Sequence, residues 1–588
     1  MEEQSLGSRK KMANAEDKTQ FGCRHIISGI DDLGDDIIQN IINRLPALCF
    51  ASAACVSRSW NSLCNSILST SPKLSSAVSF NRSLEKVFGV LLSGMHVYLN
   101  AVNEVVDKVL SEPIRPHFVL ASIGPHFSLQ AALQRIGSKF GFRVPVIVNV
   151  SEGVIGKDVC SDQFVEVQWE VTEDQEAHGA ISPEDTVNWG IILTVGFLPA
   201  LKAHIVPLLF QHKGPRRLLI DEFVMDVREV ALAVSDSTSP AGIIMFANKR
   251  GLGFRISILV LGVLNQTSPL SVYLAIIALF SSYGIGITEY AFPEDTFVVG
   301  DGSSQFLYRS NNRSNNTRSP DSTCAAVALI FTRDRNKPLG IGETQFHVML
   351  STGISPVGYT YKAVSVKCNK SSTWLTASRE TAGEHLDGQT ILEEIYDELG
   401  DRILYPTFYV GVTKRRRCSV GMERVRKMQF LEFHEVLGGD EQYLFVNSVG
   451  ITTAEPFRFY ISDSKAALSS CDKVSDDLRH LKLDCDGSNN HVSGGINYSD
   501  RRKVFGGIIF SCCGRGESFF GRRGVDSAAF LNNFPGVTFG GTYCAGEIGR
   551  GKSSLHDRDN EEGDVVCCSE HVYSAVYLVM SYSPPQPE

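Results

Sequence analysis

Leu33–Cys64 reads LGDDIIQNIINRLPALCFASAACVSRSWNSLC, and two apolar helical stripes run through it. Asp35 or Asp36 biases the start of the first helix, because a carboxylate there faces the unsatisfied N–H groups of the opening turn. Ile37, Ile38, Ile41, Ile42 and Leu45 then recur at helical spacing until Pro46, which has no N–H to donate, ends the run. A second helical stretch, Phe50 to Leu68, sets Ala53, Val56, Trp60, Leu63 and Ile67 three or four residues apart on one face. Two short helices cannot bury both stripes against each other. The partner surface is either the domain that follows, as in a packed helical hairpin, or another protein.

Residue identities choose between these. Leu33, the aliphatic helix ending in Arg44-Leu45-Pro46, and the run Val56-Ser57-Arg58-Ser59-Trp60-Asn61 together resemble the F-box. That resemblance implies a three-helix module, residues 25–75, binding the Skp-type adaptor of an SCF ubiquitin ligase and, through it, a cullin. It places Leu33, Ile37, Ile38, Ile41, Leu45, Val56, Trp60 and Leu63 at or behind the contact. Trp60 is the expected anchor, since buried Trp side chains dominate interface energetics. At one position the chain departs from the family, whose Leu-Pro opening is here Leu33-Gly34. Proline presets the backbone angle and glycine leaves it free, so weaker adaptor binding is expected.

Outward from this module, 588 residues exceed a single hydrophobic core, and 43% hydrophobic residues supply enough apolar material for several. Only the ends, residues 1–24 and 583–588, read as disordered. Met1–Gln20 has no apolar segment of signal-peptide type, so the expected location is the cytoplasm and/or nucleus, with reduced thiols. The 15 cysteines include no C-x-x-C pair, so neither disulfides nor structural metal is expected, and nothing calls for a cofactor. A net charge of −9 with scattered basic residues argues against nucleic acid as a partner. Lys414–Arg417 (KRRR) reads as a solvated strand end or turn, or as an import signal. Ile256–Thr288 carries no charged side chain. Its interruption by Asn265–Pro269 favours buried strand plus core helix over a membrane span, so membrane association is not expected.

Past Ser83 strand-like runs dominate: FVLASIG from Phe118, VPVIVNV ending at Val150, FVEVQWEV from Phe164, WGIILTVGFLP from Trp189 and RRLLIDEFV from Arg216. Continuous apolar strands need covered faces, so the expected fold class is α+β or mixed α/β, with sheets covered by helices. FVVGDGSSQFLY and CAAVALIFTRD, joined by the polar Ser310–Ser322, read as a hairpin with a long loop, and Asp484–Arg502 as a mobile connection. A domain boundary is expected near Val357–Val366. LTVGFLP, VVGDGSSQF, GISPVGYTYKAV, SCCGRG and CAGEIG resemble the FIST domains, found behind an F-box in eukaryotes and alone in bacterial signalling proteins. The resemblance implies a two-part body, FIST N-terminal over residues 84–356 and FIST C-terminal over residues 357–582.

The glycines flanking Arg515 permit a sharp turn whose N–H groups hold an anion, and Glu547 lies in a similar turn. Gly514, Arg515, Gly516, Gly546 and Glu547 are therefore candidates for gripping a small zwitterionic ligand. The structural alternative is that these glycines make tight turns and Arg515 pairs with Glu547. Cys512, with Arg515 nearby, is a candidate reactive thiol. No catalytic residues are assigned, because no histidine is placed beside Cys512 or Cys544, and the chain is not expected to be an enzyme. No leucine-rich period of 20–29 residues is visible. The expected function is the substrate-recognition subunit of an SCF-type ligase that brings an unknown protein target to ubiquitination and degradation. The alternative is a small-ligand sensor with a vestigial F-box.

Overall fold

The computed structural model describes residues 34–70, 72–80, 95–169, 190–210, 220–248, 290–310, 324–338, 340–369, 372–379, 383, 385–400, 407–420, 425–448, 451–486, 502–550, 566–567 and 570–585. The uncharged stretch Ile256–Thr288, residues 1–24, Leu33, residues 586–588 and most of Ser310–Ser322 and Asp484–Arg502 lie outside them, while Ser583, expected to open a disordered end over 583–588, closes the strand Ser574–Ser583.

Three helices open the chain: α1 (Asp35–Ile42), α2 (Ala47–Ala53) and α3 (Arg58–Thr70). The single helix expected over Phe50–Leu68 is thus two. Ser57 divides them, its hydroxyl accepting from the Trp60 N–H at 3.1 Å as an N-cap does. Ile38, Ile42, Phe50 and Cys64 form the module's small core, with Leu45, Trp60, Leu63 and Ile67 packed against it. The module joins the body where the Ala47 N–H donates to the Leu110 carbonyl at 2.9 Å.

The body is β-rich and mixed α/β, and three of its four sheets share a core. One is five-stranded and two are six-stranded. Side chains alternate across a strand, and here the alternation divides each strand between two cores. Phe118 and Leu120 face the shared core while Val119, Ala121 and Ile123 face the helices Met95–Val109 and Leu129–Phe140. Val327, Leu329 and Phe331 face inward while Ala326, Ala328 and Ile330 meet the helix Ile220–Val234. Val576, Leu578 and Met580 face inward while Ala575, Tyr577 and Val579 meet Ser464–Asp486 and Val525–Leu531. Each sheet therefore buries one face centrally and covers the other with helices. The fourth sheet closes on itself: Ile354–Asn369 pairs with Pro456–Ser462 along its first half and with Ser372–Arg379 along its second, and the helix Gly388–Leu399 adds Ile391, Ile395 and Leu399 to its core. No stack of repeating parallel strand units occurs among the described residues.

Three expectations need correction. The RRLLIDEFV run, expected as a strand, enters the helix Ile220–Val234, because Phe223, Val224, Val227 and Ala231 carry a helical period beyond it. Phe297–Asp301 and Cys324–Arg333 form no hairpin: both flank Gly242–Ala247, and the intervening Phe306–Arg309 crosses to pair with Val146–Val150 in another sheet. Val357–Val366 lies inside one long strand, at its bulge. Pairing crosses the expected 356/357 division, since Glu343–Thr352 lies against Ser574–Ser583, and Gly153–Lys157 against Thr538–Cys544.

Candidate functional site

Of the N-terminal residues singled out, Ile38 is buried, while Leu45, Trp60 and Leu63 are half-buried supports of the module's core. Ile37, Ile41 and Val56 point to solvent, with 53%, 44% and 65% of their surface exposed. On α1 the two isoleucine pairs are each one turn apart, Ile38 and Ile42 facing inward and Ile37 and Ile41 outward. Leu48, on α2, is likewise apolar and 65% exposed, and was not recognised in the sequence. The available signal was its place between Ala47 and Phe50, both of which turn inward. Trp60, expected as the anchor, is half-buried and packs against the module's core. Gly34, expected to loosen the entry to α1, holds φ −55° and ψ 149° as its N-cap, a φ that proline adopts, so the backbone there takes the family's angle without proline.

The second candidate site is built where three glycine-containing motifs converge. Cys512 and Cys544 are register partners on parallel strands, and Asp301 is the partner of Glu547 on antiparallel ones. The turn after Cys512 is closed on itself: the N–H of Cys513 donates to the Cys544 carbonyl, that of Gly514 to the Cys512 sulfur, and that of Arg515 to the Cys512 carbonyl. The expected anion cradle is absent from Cys513–Arg515 because those three N–H groups are spent within the fold. The glycine at 514 is required by a close approach, as a Cβ there would sit 2.7 Å from the Tyr573 ring. Gly516 likewise abuts Gln168, whose amide nitrogen donates to the carbonyls of Cys513 and Arg515 at 2.7 Å.

Arg515 is fully buried, and its guanidinium forks onto Asp526 rather than Glu547. Nη2 to Oδ1 is 2.6 Å and Nε to Oδ2 is 3.0 Å. The remaining donors reach the Tyr573 carbonyl, the Ser351 hydroxyl and the Cys471 sulfur, and Ser511 donates to Asp526 at 2.7 Å. Burial alone would push Arg515 down and Asp526 up; each overrides this for the other, so Arg515 is held above its ordinary value and Asp526 below. Arg515 thus has no free fork for a ligand carboxylate.

Glu547 is also fully buried, its Oε2 accepting from the Ser574 hydroxyl at 3.0 Å. Burial, then the neighbouring Cys513, push its carboxyl well above the carboxylate range. Gly546 serves the fold, its carbonyl accepting from the Gly302 N–H at 2.7 Å. Cys512 is half-buried, and its hydrogen bond with Cys513, followed by burial and the Glu547 charge, raises its thiol. A raised thiol carries less of the thiolate that a nucleophile needs. His571 does not serve it: the imidazole Nε2 lies 2.9 Å from the Gly549 carbonyl. No group of three or more potential metal ligands occurs among the described residues. No described helix is long and apolar enough to cross a membrane.

The F-box domain family matches residues 30–71, which span α1, α2 and α3. Across nearly the whole chain, an F-box/LRR-repeat protein of Arabidopsis thaliana is 37% identical over 561 residues, covering 94% of this chain and 93% of that protein.

Proposed function

The chain belongs to the F-box protein family, and from that premise we propose that it is the substrate-recognition subunit of an SCF-type ubiquitin ligase. The observation that carries the reading is the exposure of the apolar side chains of Ile37, Ile41, Leu48 and Val56 on a module whose own core is built from other residues. Leaving such side chains in water forgoes about 1.5–3 kcal/mol each on full burial, which a docked adaptor recovers in part. Ile38, Leu45, Trp60 and Leu63 hold the helices that present this surface.

The body is the part that selects a target. We read it as FIST-type, supported by the convergence of VVGDG, SCCGRG and CAGEIG on neighbouring strands from distant parts of the chain. The reading assigns no catalytic step to this chain: it holds the adaptor with one end and the target with the other. The ligand-sensor alternative loses its main support in the commitment of Arg515 to Asp526.

Co-expression of the full chain with a Skp-type adaptor and a cullin tests the proposal. The expected result is a three-protein complex recovered in equal amounts, and its loss when Ile37 and Ile41 are both changed to Asp. A wild-type chain that purifies without the adaptor overturns the reading.

A further inference from the structure

The Lys414–Arg417 run lies near the end of the strand Phe408–Cys418, in a hairpin with Arg426–Gly439. Lys414 turns inward, its ammonium 2.9 Å from the Glu432 carboxylate in a buried pair. Its neighbours do the reverse. Arg415 is the register partner of Gln429, and Arg417 of Lys427, so all four share the outward face, and the three cationic ones are exposed. Like charges directly opposite on a sheet repel, and among the described residues no carboxylate pairs with Arg415, Arg417 or Lys427. Arg426, on the other face, is 5.7 Å from the centre of the Tyr290 ring.

Part of the same strand's second edge is unpaired among the described residues. One edge of Arg426–Gly439 is paired with Phe408–Cys418. The other takes the parallel pair Val566–Cys567 at Gln429 and Phe430, and Leu444–Val446 from Val436 onward. Along Arg426–Met428 that second edge has no partner among the described residues. The Val566–Cys567 pairing shows that this edge accepts a short extended segment.

We propose that this hairpin tip docks an acidic, extended peptide segment of the protein that the chain recruits. The inference rests on the receptor reading above and names the chemistry of its target. A segment added along Arg426–Met428 satisfies the backbone groups that no described residue pairs and brings its carboxylates beside Lys427, with Arg417 and Arg415 one strand further on and within reach of their long side chains. A polynucleotide offers the charge but no amides for the edge, and its phosphates meet a chain of net charge −9.

The test uses the full-length chain and a fluorescently labelled Glu/Asp-rich peptide, read by anisotropy at low and raised salt. Saturable binding that weakens with salt is expected. Affinity should fall about tenfold or more in the triple variant Arg415→Glu, Arg417→Glu, Lys427→Glu, with the thermal midpoint retained, as expected for charges that steer and hold a partner. If the triple variant fails to fold, Arg417→Gln with Lys427→Gln replaces it, with the same direction expected. Arg417→Lys should keep most of the affinity. Equal binding of a single-stranded RNA overturns the assignment to a peptide. The chain's own acidic run before Val566 is the rival occupant. If only a variant with Asp557, Asp559 and Asp564 changed to Asn, and Glu561 and Glu562 to Gln, binds the peptide, the site serves that run and the proposal fails. Adaptor capture is measured on the same samples: its retention with no peptide binding sinks this inference alone, and its loss sinks the receptor reading.

Discussion

The N-terminal module and the C-terminal strand ends invert the usual distribution of side chains in opposite ways. At one end Ile37, Ile41, Leu48 and Val56 are apolar and exposed; at the other Arg515, Asp526 and Glu547 are charged or ionisable and buried. Both arrangements are costly in isolation, and what offsets the cost differs. Arg515 and Asp526 compensate each other inside the chain, together with Ser511, Ser351 and the Tyr573 carbonyl. Nothing among the described residues covers the four exposed apolar side chains, and the proposed adaptor would supply that cover. Arg515, which looked like a ligand's partner in the sequence, is spent on Asp526, whereas the short aliphatic helix leaves Ile37 and Ile41 exposed.

The sharpest way to break this contrast is to remove one partner from the buried pair. Asp526→Ala leaves Arg515 buried and uncompensated, and the denaturation midpoint should report a loss of about 3–5 kcal/mol. Replacing both, with Arg515→Met and Asp526→Leu, should cost much less, because no orphan charge remains. If Asp526→Ala is neutral in chemical denaturation, Arg515 is not the buried, paired group described here.

The complementary change is on the exposed surface. Ile37→Asp, Ile41→Asp or Val56→Asp should each weaken adaptor binding by about 2 kcal/mol or more where the side chain lies at the centre of the contact. None should move the thermal midpoint appreciably, since these side chains pack on little. Trp60→Ala should show the opposite balance, with unfolding of the module preceding any loss of binding.

A smaller effect concerns Glu547. Its carboxyl is raised in the folded state, so the folded chain keeps a proton that the unfolded chain gives up at lower pH. Stability from this group is therefore fully present below the ordinary carboxylate range and is lost as the pH rises toward the folded value. Glu547→Gln should stabilise the chain near neutral pH, and the gain should vanish in acid; denaturation midpoints measured across pH check both. The smallest change is Gly34→Pro. The backbone already holds a proline angle there, and a Cβ meets nothing within 4 Å. A gain of about 0.4–1 kcal/mol is expected in the module's unfolding, and no gain would mean that α1 starts with another geometry in solution.

Local pattern was legible in the sequence where the period was clean. Phe118–Ile123 and Val146–Val150 read as continuous apolar strands, and each proves to divide its side chains between two cores. The outward turn of Ile37 and Ile41 was not, because the sequence does not say which of two adjacent isoleucine stripes faces the core. Pairing across long separations was also hidden. Phe306–Arg309 leaves its neighbours for Val146–Val150, and no residue near it announces that choice. Asp526 escaped notice for a similar reason: only the turn after Cys512 and the helix Val525–Leu531 together aim it at Arg515.

The most direct test titrates purified Skp-type adaptor into the full chain by calorimetry, comparing wild type, the Ile37→Asp, Ile41→Asp, Val56→Asp triple variant, and Arg515→Met with Asp526→Leu. Tight binding by wild type and by the buried-pair variant, with none by the triple variant, is the predicted result. Equal binding by all three, or none by wild type, would contradict the account.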